Sequence, residues 1–213
     1  SEYRDTDRKM LDVGTGTGVI ALIAAQRYSC LNSNCRIEAI DIDEEAVAES
    51  LENFKNSPWP DCLSVKKISI QNLASDEANH SSFDLIISNP PYFENSLKAP
   101  DQQRTIARHT DTLSFADLLG SAAPLLKGDG RLTLILPYDS LPQIRAIAVA
   151  ECLKISRITV VRTTPAKEPK RVLIEFVKSA LPTNTKNSEL IIQSAGRYSD
   201  EYIYLTGDLY PKF

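Results

Sequence analysis

Residues 87–95, ISNPPYFEN, follow the apolar run FDLI without a break. Two consecutive prolines cannot donate ladder hydrogen bonds, so a strand carrying that run must stop there. Asn89 brings a side-chain carbonyl oxygen, and Pro90 a backbone carbonyl whose direction the rings constrain. Both are acceptors suited to the two N–H groups of a planar amine, such as an adenine amino group or a carboxamide. Such a nitrogen is a poor nucleophile because its lone pair is delocalised. Acceptors orient it and favour its tetrahedral form, so positioning carries most of the rate. No strong base is needed before attack, because the nitrogen becomes acidic once alkylated. Pro91 stiffens the turn, Tyr92 can stack on a planar substrate, and Phe93 can wall its pocket. Taken alone, the same residues also fit a stiff turn leaving a strand.

A second stretch, DVGTGTG, places Gly14, Gly16 and Gly18 between a short apolar strand and a helical pattern. Glycines there let backbone approach a ligand closely. A dinucleotide fingerprint needs G-x-G-x-x-G, and the position for its third glycine is Val19. No Gly-Lys-Ser/Thr follows, so a Walker phosphate loop is excluded too. Asp41 ends the second strand, where a carboxylate can accept both hydroxyls of a ribose; Asp41 or Asp43 could instead cap the helix beginning at Glu44. Glycine loop and acid together fit an adenosine ligand other than a typical dinucleotide. S-adenosylmethionine is the candidate.

The elements that must hold these residues alternate along the chain. Strands are expected at KMLDVG, CRIEAIDID, LSVKKISI, FDLIISN and GRLTLILP, with helices at VIALIAAQRY, EEAVAESLENFKN, LSFADLLGSAAPLL and SLPQIRAIAVAEC. Five strands separated by helices should be parallel. KISRITVVRT and KRVLIEFVKS are joined by TPAKEP, too short for a crossover helix, so that pair should be antiparallel. ELIIQ reads as an edge strand and EYIYLTGDLYPKF as a docked terminus. An open parallel sheet binds ligands beyond the carboxyl ends of its strands. Asp12 to Gly18, Asp41 and Asn89 all fall at such ends.

The chain has 213 residues, 24% charged and 42% hydrophobic, which suits one domain over 1–213 with a full core. No apolar run approaches the roughly 18 residues of a membrane span. The first ten residues are mostly polar, lack a signal-peptide core and do not begin with Met. The four cysteines are scattered and fit neither a zinc pattern nor a disulfide framework; a cytoplasmic chain with reduced thiols and no metal is expected. Net charge is −4, which argues against indiscriminate nucleic-acid binding. Between Lys154 and Lys178, however, seven basic residues face two acidic ones. They mark either a solvated hairpin or a local basic face.

LDVGTGTG, AIDID and FDLIISNPPYF resemble class I S-adenosylmethionine-dependent methyltransferases carrying an NPPY motif. SPW, ISNPPYFENSLKAPDQQRTIARHTDTLSFADLL, ILP, KRVLIEF and YSDEYIYLTGDLYPKF resemble, more narrowly, the bacterial tRNA1(Val) adenine N6-methyltransferase family, over residues 10–213. The resemblance implies an α/β, Rossmann-like fold with a seven-stranded, mostly parallel sheet, a C-terminal antiparallel hairpin and helices on both faces. It implies S-adenosylmethionine as cofactor, tRNA as partner, and the adenosine 3′ of a valine anticodon as target. By motif position, Asp12, Gly14, Gly16, Gly18 and Asp41, with Asn89, would bind the cofactor. Asn89, Pro90, Pro91 and Tyr92 would hold the target base, beside Phe93. Arg108 and His109 in QQRTIARHT, and Lys167, Lys170 and Arg171 in the basic hairpin, would meet RNA. The chain departs from the pattern after the third strand, where related enzymes often carry an acid near the cofactor adenine. Here Ser69 stands at that position, so either Ser69 and backbone amides around Ile70 bind the adenine or affinity is reduced. The family also has a segment ahead of the first strand, absent from the chain as given. A monomer is expected.

Three other readings share some of these features. A glutamine amide methyltransferase acting on a release factor uses the same chemistry, but usually carries a helical domain before the first strand. A nicotinamide oxidoreductase is opposed by Val19 and by Asn89–Tyr92. A non-catalytic RNA- or cofactor-binding module would bind without turnover.

Overall fold

The structure, a computed structural model, describes residues 3–29, 34–90 and 113–209. Strand β1 (Lys9–Val13) leads through the glycine loop into helix α1 (Val19–Ser29), then β2 (Arg36–Asp41) and α2 (Glu44–Lys55). β3 (Leu63–Lys67), α3 (Ile70–Ser75) and β4 (Phe83–Ser88) follow. After the undescribed stretch come α4 (Phe115–Leu125), β5 (Leu126–Pro137) and α5 (Leu141–Ala150). β6 (Leu153–Arg162), β7 (Arg171–Lys178) and β8 (Lys186–Ile191) complete the main sheet. A small hairpin, β9 (Gln193–Ser194) and β10 (Arg197–Tyr198), precedes α6 (Asp200–Thr206).

The strand order is β3-β2-β1-β4-β5-β7-β6-β8. β1 to β5 are mutually parallel, and β7 runs antiparallel between β5 and β6. β8 then pairs parallel with β6. The sheet therefore has eight strands rather than the expected seven. The extra one begins at Lys186, earlier than ELIIQ suggests, and its first four residues are exposed. That first part is held by its ladder to β6 and not by an apolar face, which is why no hydrophobic pattern marks where the strand begins.

β1, β2 and β4 are almost wholly buried because helices cover both faces. One core cluster joins the sheet to α3, α4 and α5 through Leu73, Leu118, Leu125 and Ile144. The other joins it to α1 and α2 through Ala21, Tyr28 and Phe54. The expected third strand LSVKKISI is shorter than its apolar pattern. It stops at Lys67, and Ser69 caps a helix that the sequence reading missed. β5 in turn starts at Leu126, before Gly130, and α6 is a short helix in the terminus expected only to dock.

Strand order reverses between β1 and β4, so a crevice opens beyond their carboxyl ends.

Candidate active site

Four strand ends build one site. The glycine loop is stitched to β2: Gly14 N and Thr15 N both donate to Ile40 O, at 2.9 and 3.1 Å. Gly16, with φ +54°, turns its N–H onto Asp41 Oδ2 at 2.9 Å. Gly18 sits where a Cβ would lie 2.5 Å from Phe54 Cε1, so only glycine lets α1 start this close to α2. Asn53 Nδ2 donates to Thr17 O at 2.9 Å and fixes the loop from the other side.

Asp41 Oδ1 accepts from Asp43 N at 3.0 Å. The cap of α2 is Asp43, which accepts from Glu45 N at 2.9 Å. Capping is thus met by Asp43, and Asp41 is left at the loop. Each Asp41 oxygen holds one backbone bond and keeps a further lone pair toward the crevice.

Asp12 lies behind the loop, fully buried. Its Oδ2 accepts from Thr15 Oγ1 at 2.7 Å, and its Oδ1 has no hydrogen-bond partner. Burial pushes its carboxyl up to about 6; the Thr15 hydroxyl and, more weakly, the Ala21 backbone N–H pull it down, and the Asp41 charge adds to the rise. A buried carboxylate with an unfilled oxygen is costly, and it is found here beside a cavity.

That cavity has a volume of about 800 Å³, within the range of small-molecule sites. Gly14, Gly16, Asp41, Ser69, Ile70, Asn89 and Pro90 all line it. The structure therefore brings together, from four separate stretches, most of the residues expected at the cofactor. Asn89 is exposed at the end of β4, and Pro90 is buried. The preceding Ser88 donates to Val13 O at 2.8 Å and locks this end of β4 against β1. Ser69 Oγ is committed as a helix cap, accepting from Asn72 N at 3.1 Å. Its hydroxyl proton remains able to donate. Asp12 and Gly18 sit behind the cavity wall rather than on it.

Other lining residues escaped the sequence reading. Ile42 is 51% exposed between two acids, an apolar side chain with no core to join; that misfit was its available signal. Asp117 of α4 also lines the cavity and accepts from Ser114 Oγ at 2.6 Å. Its role as the third residue of a helix cap hid it.

Lys167, Lys170 and Arg171 are exposed in the β6–β7 connection. Arg171 opens β7 opposite Pro137 and Val161, which places this connection on the same sheet edge as Asn89. Arg162 of the basic run is instead tied to Glu189 and Lys167 O. Pro91, Tyr92, Phe93, Arg108 and His109 lie outside the described residues. Among the described residues no group of three or more His, Cys, Asp or Glu could hold a metal, and no helix is long and apolar enough to cross a membrane. Cys35 is buried and its thiol is pushed up to about 12, chiefly by burial.

A family model described as "Methyltransferase small domain" matches residues 2–139. A protein of Phocaeicola vulgatus named tRNA1(Val) (adenine(37)-N6)-methyltransferase is 43% identical over 203 residues, 95% of this chain and 82% of its own length. A protein of the same name from Trichodesmium erythraeum is 40% identical, covering 96% of this chain and 84% of its own. Among solved structures, a protein of Agrobacterium tumefaciens described as a predicted O-methyltransferase aligns with a TM-score of 0.74 at 16% identity, over 97% of this chain and 91% of that one. At that identity the likeness concerns the fold: a mostly parallel sheet with an antiparallel hairpin and helices on both faces.

Proposed function

The chain belongs to the methyltransferase small-domain family, and from that premise we propose that it transfers a methyl group from S-adenosylmethionine to the exocyclic amino nitrogen of an adenosine in tRNA. The target we infer is the adenosine 3′ of the anticodon in a valine tRNA, the position named for its relatives. The observation that carries this reading is the convergence of the glycine loop, Asp41 and Asn89-Pro90 on one cavity.

These residues fit the cofactor. The cavity is large enough for an adenosine, Asp41 retains acceptor capacity for ribose hydroxyls, and the unfilled Asp12 oxygen favours positive charge near the loop. When bound, S-adenosylmethionine supplies an electrophilic methyl group. The rest is done by the chain. Asn89 Oδ1 and the Pro90 carbonyl accept the two N–H groups of the target amine and orient its lone pair. The rigid Pro90-Pro91 pair keeps those acceptors in place without reorganisation. Tyr92 stacks on the flipped base and Phe93 walls its pocket, and a single-stranded loop makes the flipping inexpensive. Lys167, Lys170 and Arg171 hold phosphates and set the register of the RNA. Asn89 then relays no proton before attack; the proton leaves the alkylated nitrogen to solvent.

The test is transfer of labelled methyl to unmodified bulk tRNA, with nucleoside analysis and a release factor in parallel. N6-methyladenosine is expected. Label in the release factor would replace the substrate with a glutamine amide while keeping the same site. Cofactor binding with neither product would leave a binding module.

A further inference from the structure

The wall of the cavity continues past Asp41 into the stretch that follows β3. Asp41 pairs with Lys67, the last residue of β3, and Ile68 N donates to Asp41 O at 3.0 Å. The entry to α3 therefore runs directly beside the acid assigned to the ribose. Ile42, Ala46, Ile68 and Leu113 belong to the same lining and give it apolar surface. A flat heterocycle carried on a ribose at Asp41 is received by such a surface.

Helix α4 reaches the same cavity. Leu73 of α3 and Leu118 of α4 share one buried cluster, so the two helices pack together. Their starts are built alike: Ser69 accepts from Asn72 N at 3.1 Å, and Ser114 from Asp117 N at 3.0 Å. They differ in the third residue, which in α4 is a carboxylate. Ser114 Oγ also donates to Asp117 Oδ2 at 2.6 Å, and that bond fixes where the carboxylate stands. Asp117 Oδ1 accepts no hydrogen bond among the described residues, and Asp117 forms no ion pair among them.

Among the described residues three carboxylates line the cavity: Asp41, Asp43 and Asp117. Asp41 is held by Gly16 N and Asp43 N beside the loop, and Asp43 caps α2. Asp117 is left with a pinned side chain and a spare oxygen. An ionised carboxylate only accepts, so it welcomes an amine and repels another acceptor. The amides of Gln71 and Asn72, in the same lining, can present either a donor or an acceptor and make no such distinction.

We propose that Asp117 selects the base of the cofactor, its Oδ1 accepting from the exocyclic amine of the adenine. The Ser69 hydroxyl proton then serves a ring nitrogen of the same base. Ser114 is a positioning residue, holding the Asp117 carboxylate in place. The assignment rests on the S-adenosylmethionine reading of this cavity.

The experiment measures, by calorimetry, the Kd of S-adenosylhomocysteine and of its 6-deamino analogue, in which purine replaces adenine. The proteins are wild type, Asp117→Asn and Asp117→Ala. Wild type should bind the adenine form about tenfold or more tightly than the deamino form, the worth of one hydrogen bond to a charged group. Asp117→Ala should bind the two forms alike, within about twofold, and should match wild type on the deamino form. Asp117→Asn, which keeps one carbonyl acceptor without the charge, should retain an intermediate preference. A full preference persisting in Asp117→Ala overturns the proposal, because the amine is then answered elsewhere. So does an equal loss of both forms, which is general damage, and so does a wild type that binds both forms equally; each of these spares the cofactor reading. Wild-type protein that binds neither form overturns both.

Discussion

The two ends of the central sheet treat charge in opposite ways. At the amino end the buried charges among the described residues stand in ion pairs within the chain. Arg131, 1% exposed in β5, makes two parallel bonds to Asp7, at 2.8 and 2.7 Å. Asp7 also accepts from the Tyr28 hydroxyl and from Arg4 N. Asp84, at the start of β4, accepts from Arg8 N, Lys9 N and Lys127 Nζ. At the carboxyl end the balance is left open. Asp12 keeps a buried oxygen unfilled, Asp41 keeps spare acceptor capacity, and Ile42 stands exposed over a cavity. One end is finished by folding; the other is built to be finished by a ligand.

Breaking the finished end should cost the most. Arg131→Met leaves Asp7 buried without its partner, and a loss of about 3–5 kcal/mol is expected in urea unfolding. Although burial alone raises Asp7, the Arg131 and Tyr28 bonds hold its carboxyl below the usual range. Its contribution is therefore present above pH ~4 and lost as pH falls through the lowered folded value. An Arg131→Met protein with wild-type stability at neutral pH would show that the pair is ornamental.

At the open end the effects should fall on function. Asn89→Ala is expected to lower kcat about 100-fold or more while the cofactor Kd moves only a few-fold, measured by single-turnover methyl transfer and calorimetry. An unchanged kcat would refute the orientation of the amine. Asp41→Ala should weaken cofactor binding about tenfold or more through lost ribose bonds, with little change in melting temperature; equal affinity removes Asp41 from the ribose.

The smallest effect has the opposite sign. Burial raises Asp12 from 3.8 to about 6, so the folded state holds that proton more tightly than the unfolded chain. The stability from that proton is present below pH ~4 and is lost as pH rises to about 6. Asp12→Asn should therefore melt a few degrees higher than wild type at pH 7.5, with the gap closing at pH 4, and bind cofactor more weakly. A lower melting temperature at pH 7.5 would mean that Asp12 is a structural acid like Asp7.

The open end was largely legible in the sequence because its signals are local. Glycines at fixed spacing, an acid at a strand end and two prolines after an apolar run each carry their meaning within a few residues. The finished end was not legible. Arg131 read as the polar start of GRLTLILP, and its partner lies 124 residues away. α3 was hidden because Ile68 and Ile70 alternate like a strand, while the Ser69 bond to Asn72 N that starts the helix resembles no long pattern. Ser69 itself was found, by its place after β3, although its capping role was not. The Tyr198–Tyr202 stack was missed because two aromatic residues in the terminal stretch meet only when a hairpin and a helix turn join them.

The Arg131–Asp7 pair also bears on how the strands find their alignment. Leu132, Leu134 and Leu136 all face one core, so sliding β5 by two residues along β4 would keep that face apolar. The hydrophobic pattern cannot reject such a slip. It would, however, carry the guanidinium about 7 Å from its carboxylate, stranding both charges in the interior. The one buried cation of that strand thereby acts as a proofreading mark for the register on which the ligand site above it depends.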